Sequence, residues 1–279
     1  MSRSITRHRR AGFTLVELLV VVIIIGILAA LLIPTINAAR NAGRRATIAM
    51  ELSQLESAFE QYKTNNGNDY PPDWSDTSYV VKHLGTAFNR HDRAAAATWI
   101  NTENPTGSAG KLDPAEAIVF WLSLVKKDTL RPLTSASTSY NVYFDFRPER
   151  LKDADGDGYN EYYPPGLENT PYVYFHNKTY AVANYPNTTA YTGHSNLVAM
   201  GQARPYGSHI QAMTLAWQDP TKFQIVTAGL DEQFGEAITP PAYKITPGKP
   251  TPSGANLTKG DFDNLTNFSK GKTLEDLTP

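Results

Sequence analysis

Two places in this 279-residue chain combine residue types and spacings that could do chemistry. The first is Asp153-Ala154-Asp155-Gly156-Asp157-Gly158-Tyr159-Asn160-Glu161. Carboxylates at alternate positions followed by glycine match the opening of a calcium loop, in which a sharp turn lets oxygens converge on one ion. Asp153, Asp155, Asp157 and the Tyr159 carbonyl form the candidate ligand set, with Glu161 or Glu168 supplying the missing oxygens. Hard oxygen donors favour calcium over zinc or copper. The twelfth loop position is Pro164, not a bidentate glutamate, and no flanking helices are evident. An acidic, glycine-rich surface turn is the competing reading. The second place is Glu17, the one acid in an otherwise apolar run from Phe13 to Ile33. Burying a carboxylate in hydrocarbon costs roughly 2.5–3.5 kcal/mol even on the lenient insertion scale. Such a group calls for a partner or for escape to the interface.

The elements that position Glu17 are legible. The 21 residues Phe13–Ile33 would span about 30 Å as a helix, which matches a bilayer core. A removable signal peptide has an apolar region of only about 7–15 residues and a small-residue cut site, neither of which fits. Arg3, Arg7, Arg9 and Arg10 precede the run and place the start of the chain on the cytoplasmic side. Arg40, Arg44 and Arg45 argue more weakly for the reverse. Pro34 interrupts the helix, removing one backbone donor. Ile48, Leu52, Leu55, Phe59 and Tyr62 then mark one amphipathic stripe, with Arg44, Arg45, Glu51, Gln54 and Gln61 assigned to the opposite face. Asn65-Asn66-Gly67 stops the helix.

Beyond it the chain is turn-rich. Short helices are expected over Tyr79–Phe88 and Ala94–Ile100. Asp113-Pro114-Ala115-Glu116 reads as a helix start, with Asp as cap, Pro first and Glu third, continuing through Ala117–Val125. Strands are expected over Tyr140–Phe146 and Phe223–Ala228, and a hairpin over Pro171–Phe175 and Thr179–Val182 about His176-Asn177-Lys178.

Composition excludes several function classes. The formal charge is −1, and discarding the four leader arginines takes it to −5. That gives no electrostatic case for nucleic-acid binding. Cysteine is absent, which removes disulfide and thiolate chemistry. There is no G-x-S-x-G, H-E-x-x-H or P-loop. His83, His91, His176, His194 and His209 lack metal-ligand spacing and read as surface or hairpin residues.

The run Gly12-Phe13-Thr14-Leu15-Val16-Glu17-Leu18-Leu19-Val20, with its apolar helix and Pro34, resembles the type IV pilin and type II secretion pseudopilin family. The resemblance implies that a prepilin peptidase cuts between Gly12 and Phe13 and that the new Phe13 amine is methylated. It also implies that Glu17 pairs with the Phe13 ammonium of a neighbouring subunit. Ala228–Gly235 and Asp261–Phe268 resemble the C-terminal loop of the major pseudopilin. In that family the loop holds a structural calcium ion, which carries over to Asp231, Asp261 and Asp263, with Asn264 possible. A long proline-rich insertion between the two halves departs from the family pattern.

The expected fold is α+β and pilin-like: a long N-terminal helix packed on an antiparallel sheet head with a helical insertion. The expected organisation is a cleaved leader at 1–12, a transmembrane helix at 13–33, its amphipathic continuation at 34–66 and a periplasmic head at 67–279, with the insertion at about 75–150. The expected function is a structural filament subunit of a secretion pseudopilus or pilus, not an enzyme. Its expected partners are prepilin peptidase, further copies or related subunits, and the bacterial inner membrane. Its expected cofactor is structural calcium. The rival is a membrane-anchored ligand-binding module that uses the helix only as an anchor.

Overall fold

The computed structural model describes residues 13–104, 111–180, 200–211, 214–236, 244–245 and 259–277. The chain forms two compact units, Met1–Gly43 and Arg44–Pro279. One helix, α1 (Leu15–Asn65), contributes to both. In the first unit its apolar side chains are open all round, from 47% exposed at Val20 to 82% at Leu15. A helix apolar on every face is at home in lipid or in a helical core, not in water. It is long and apolar enough to cross a membrane. Pro34 lies inside the helix without ending it, and Thr35 Oγ1 donates to the Leu32 carbonyl at 2.8 Å.

The second unit is built on the remainder of α1. Ile48, Leu52, Leu55, Phe59 and Tyr62 are all buried, as their spacing predicts. They face a three-stranded antiparallel sheet of β3 (Val173–His176), β6 (Phe223–Thr227) and β8 (Leu265–Thr266), in the order β3-β6-β8. The register pairs Val173 with Val226 and His176 with Phe223. Successive strand residues point to opposite faces. Tyr174, Phe223 and Ile225 therefore join the core under α1, while Val173, Phe175 and Val226 join a second core with Tyr206 and Phe234. β6 is buried on both faces, and its buried Gln224 is satisfied by accepting the Tyr206 amide at 2.7 Å. The Phe59 ring stacks on Tyr174 at 4.4 Å and tilts against Phe223 at 5.0 Å.

Further elements are α2 (Thr77–Ala87), α3 (Arg93–Glu103), α4 (Ala117–Val119) and α5 (Asn177–Tyr180). The strands β1 (Leu151–Lys152) and β2 (Glu161–Tyr162) form an antiparallel pair. A third sheet pairs β4 (Tyr206–Gln211) antiparallel with β5 (Thr214–Trp217) and parallel with β7 (Lys244–Ile245).

Five expectations are corrected. Glu51 is buried, not on the exposed face. Its carboxylate accepts from Arg150 Nη1 at 2.8 Å, Tyr162 Oη at 3.0 Å and Tyr172 Oη at 2.8 Å, and Arg150 Nη2 also bonds it. Residues Tyr140–Phe146 form no strand. Tyr140 makes only an isolated bridge to Lys126, and the alternating aromatics instead pack edge-on against Tyr62 and Tyr162. The helix expected over Ala117–Val125 turns into a π-helical turn at Phe120–Leu124, where Trp121 stacks on Trp74 at 5.4 Å. The hairpin about His176 is absent because the chain enters α5. The buried Asp73 carboxylate takes the His176 amide at 2.9 Å and Thr179 Oγ1 at 2.5 Å, holding the strand end against the residue 73 loop. His83 and His176 are fully buried, not on the surface. Burial disfavours their charged forms and depresses both pKa values, His176 to about 3.

Candidate functional site

The helix start carries the first candidate. Thr14 precedes the first helical residue, and Glu17 is the third residue of the helix. The Glu17 amide donates to Thr14 Oγ1 at 3.2 Å. Glu17 Oε2 in turn accepts from the Thr14 amide at 2.8 Å and from Thr14 Oγ1 at 2.7 Å. This reciprocal arrangement is a capping box, which satisfies amides that a helix start leaves without partners. The acid also sits where the helix dipole favours negative charge. Both Thr14 bonds fall on Oε2, and a carboxylate has about four acceptor sites, so Glu17 keeps capacity for a further cation. Phe13 immediately precedes the cap and is 79% exposed. Gly12 lies outside the described residues. The cap is legible in the sequence as T-x-x-E in Thr14-Leu15-Val16-Glu17.

The second candidate is the acidic loop. The β1–β2 pair brings Lys152 opposite Glu161 and closes the loop between them. Asp153 folds it from inside. Its Oδ1 accepts from the Gly156 and Asp157 amides at 2.7 and 3.1 Å, and its Oδ2 from the Gly158 amide at 3.1 Å. Gly156 and Gly158 have φ of 79° and 101°, the left-handed region that glycine adopts without a Cβ clash. Asp155 Oδ1 accepts from the Asp157 amide at 3.2 Å, and Asp157 Oδ1 from the Tyr159 amide at 2.8 Å. Glu161 is buried, with Oε2 taking the Ala154 amide at 3.2 Å.

An acid from elsewhere in the chain enters this loop. One carboxylate oxygen each of Glu116, Asp155 and Asp157 lie within 4.8 Å of one another. Glu116 is placed by the expected helix start. Asp113 Oδ1 caps the Ala115 and Glu116 amides at 2.7 and 3.1 Å, and the Asp113 amide donates to Glu116 Oε2 at 2.9 Å. Glu116 is only 1% exposed, and its Oε1 is buried without a hydrogen-bond partner, as is Asp157 Oδ2. Burial first, then the charges of Asp113 and Asp157, hold the Glu116 carboxyl far above the usual carboxylate range. Burial also raises Asp157, with Asp155 and Asp153 adding to the rise. The loop thus assembles Asp155 and Asp157, turns Asp153 to its own backbone, and recruits Glu116, which sequence spacing could not place.

Of the third set, Asp231 and Asp263 come together and Asp261 does not join them. The Asp231 amide donates to Asp263 Oδ2 at 3.3 Å. Burial, then Asp231, pushes the Asp263 carboxyl up to about 6. Gly229 makes this approach possible, since a Cβ there would overlap the Asp263 carboxylate. Asp261 is buried and accepts from Tyr206 Oη at 3.0 Å, and Asn264 Nδ2 donates to the same hydroxyl at 2.9 Å. The pair partly fits a cation, through the buried Asp263 Oδ1 that has no hydrogen-bond partner. Among the described residues, the three carboxylates Asp231, Asp261 and Asp263 do not form one close group.

Comparison with known proteins bears on the helix start. Residues 7–33 match the family model described as the prokaryotic N-terminal methylation motif. The chain is similar to type II secretion system core protein G of Pectobacterium carotovorum subsp. carotovorum, 39% identical over 64 residues, covering 23% of this chain and 40% of that protein. The protein of the same name in Pseudomonas aeruginosa is 29% identical over 94 residues, covering 27% of this chain and 66% of its own length. That of Escherichia coli K12 is 35% identical over 63 residues, covering 23% and 43%. The chain thus spans 40% to 66% of the length of these relatives. No solved structure matches.

Proposed function

We propose that this chain is a structural subunit of a type II secretion pseudopilus or a related filament, a reading supported by the match of residues 7–33 to the N-terminal methylation motif and by the similarity to type II secretion system core protein G. Prepilin peptidase cuts it between Gly12 and Phe13, and the new amine is methylated. The helix spans the inner membrane once, with its start cytoplasmic and the Arg44–Pro279 unit periplasmic. The observation that carries this reading is one acid at the start of an apolar helix whose faces are otherwise unpartnered. An ammonium and a carboxylate are each costly in the membrane and relieve one another when paired. A subunit therefore gains by setting its Glu17 beside the Phe13 amine of the next copy. Apolar side chains from Leu15 to Ile36 then pack between neighbouring helices in place of lipid.

Processing is tested by intact-mass measurement of the full chain co-expressed with an active prepilin peptidase. The expected product lacks residues 1–12 and carries one added methyl group on Phe13. Gly12→Val is expected to leave the chain at full length. A wild-type chain left uncut, while a control prepilin in the same cells is cut, contradicts the proposal.

A further inference from the structure

We propose that Glu116, Asp155 and Asp157 form a divalent-cation site, selective for calcium, that ties the start of α4 to the β1–β2 hairpin. This site is independent of filament assembly and goes beyond it. Three observations carry it. Oxygens no more than 4.8 Å apart lie within about 2.8 Å of a common point, so a small side-chain shift brings all three to calcium distances of about 2.3–2.6 Å. Two of the carboxylates present an oxygen that is buried and without a hydrogen-bond partner, Glu116 Oε1 and Asp157 Oδ2. Such an atom loses its hydration on folding and gets nothing in return unless a cation or proton meets it.

The third observation is charge. The largest charge effects on Glu116 come from Asp113, Asp157 and Glu161, all acids. Lys111 lies near enough to lower Asp157, but its Nζ is engaged by Glu103 at 3.0 Å. The exposed carboxylate of Asp155 closes the site on the solvent side, where water can fill the remaining positions that calcium requires. An all-carboxylate, hard-oxygen set is poor for zinc or copper. The alternative occupant is a proton shared between Glu116 and Asp157, and the two differ in what calcium does.

The test is thermal unfolding of the full chain in detergent, first stripped with EDTA and then titrated with calcium alone. At calcium about 100-fold above Kd the wild type is expected to gain roughly 5–10 °C in Tm. Glu116→Gln and Asp157→Asn are expected to lose that gain. In EDTA, Glu116→Gln is expected to melt at or above the wild type, because an amide needs no counter-charge and still accepts the Asp113 amide. Asp231→Asn is expected to keep the gain, which separates this site from the Asp231–Asp263 pair. If Glu116→Gln fails to fold, the exposed Asp155→Asn supplies the same reading. No calcium-dependent shift in the wild type overturns the proposal. So does a full shift in Glu116→Gln, or in Asp155→Asn where that stands in for it, or a shift lost only in Asp231→Asn.

Discussion

Glu17→Gln is expected to stop multimers from forming in the membrane while leaving the helix start intact. Glutamine at the third helical position still closes the capping box with Thr14, so the bonds from the Thr14 amide and hydroxyl survive. What it removes is the charge. The Phe13 ammonium of the neighbouring copy then enters an apolar environment unpaired, at a cost on the order of 3 kcal/mol. Each addition step becomes roughly 100-fold less favourable. Over many steps that is the difference between a filament and isolated subunits. Glu17→Ala loses the charge and also the side-chain half of the capping box, while the residue-17 amide still donates to Thr14 Oγ1. Crosslinking in membranes, with both variants beside the wild type, reads the result. Multimers from Glu17→Gln at wild-type yield would reduce Glu17 to a cap.

Glu51→Ala is expected to be the most damaging single substitution within the Arg44–Pro279 unit among the polar positions considered. Glu51 accepts from Arg150, Tyr162 and Tyr172, and Arg150 Nη1 also bonds the Tyr163 carbonyl at 3.0 Å. The side chains of Arg150 and Glu51 are only 13% and 11% exposed. Removing the carboxylate leaves a mostly buried guanidinium and two tyrosine hydroxyls without their acceptor. Breaking a buried pair from one side costs about 3–5 kcal/mol. For a unit of this size that is a Tm decrease of roughly 6–20 °C. A change smaller than about 2 °C would show that the cluster contributes nothing net. The same bonds tie α1 to the β1–β2 region, so the loss should also speed local opening of that hairpin in hydrogen exchange.

Much of the scaffold was legible because it follows from periodicity and end signals. The Ile48–Tyr62 stripe, the Asp113 cap and the β6 strand all obey local rules, and each is where the sequence put it. Glu51 was misassigned by residue type. It lies three residues after Ile48 and four before Leu55, so its position faces the core although its charge suggested water. Tyr140–Phe146 alternates as a strand does, yet its aromatics find partners on α1 and β2, and its backbone has no strand beside it. Glu116 could not have been read into the acidic loop. Nearly all the sequence evidence for a calcium loop is local, whereas the contact between residues 116 and 157 exists only after the chain has folded. Thr14–Glu17 is the opposite case: its cap signature is local, and the same Glu17 also carries the membrane cost of a charge.

The most direct measurement of filament assembly uses the absence of cysteine from the chain. If Phe13 of one copy meets Glu17 of the next, neighbouring helices are offset by four residues. Val16 and Val20 are also four apart, on one helix face. A chain carrying both Val16→Cys and Val20→Cys, co-expressed with prepilin peptidase and oxidised in membranes, is then expected to give a ladder of disulfide-linked multimers. Either single variant can give dimers at most. The ladder should vanish when Glu17→Gln is added. A doubly substituted, correctly processed chain that remains monomeric under oxidation would contradict assembly through this helix.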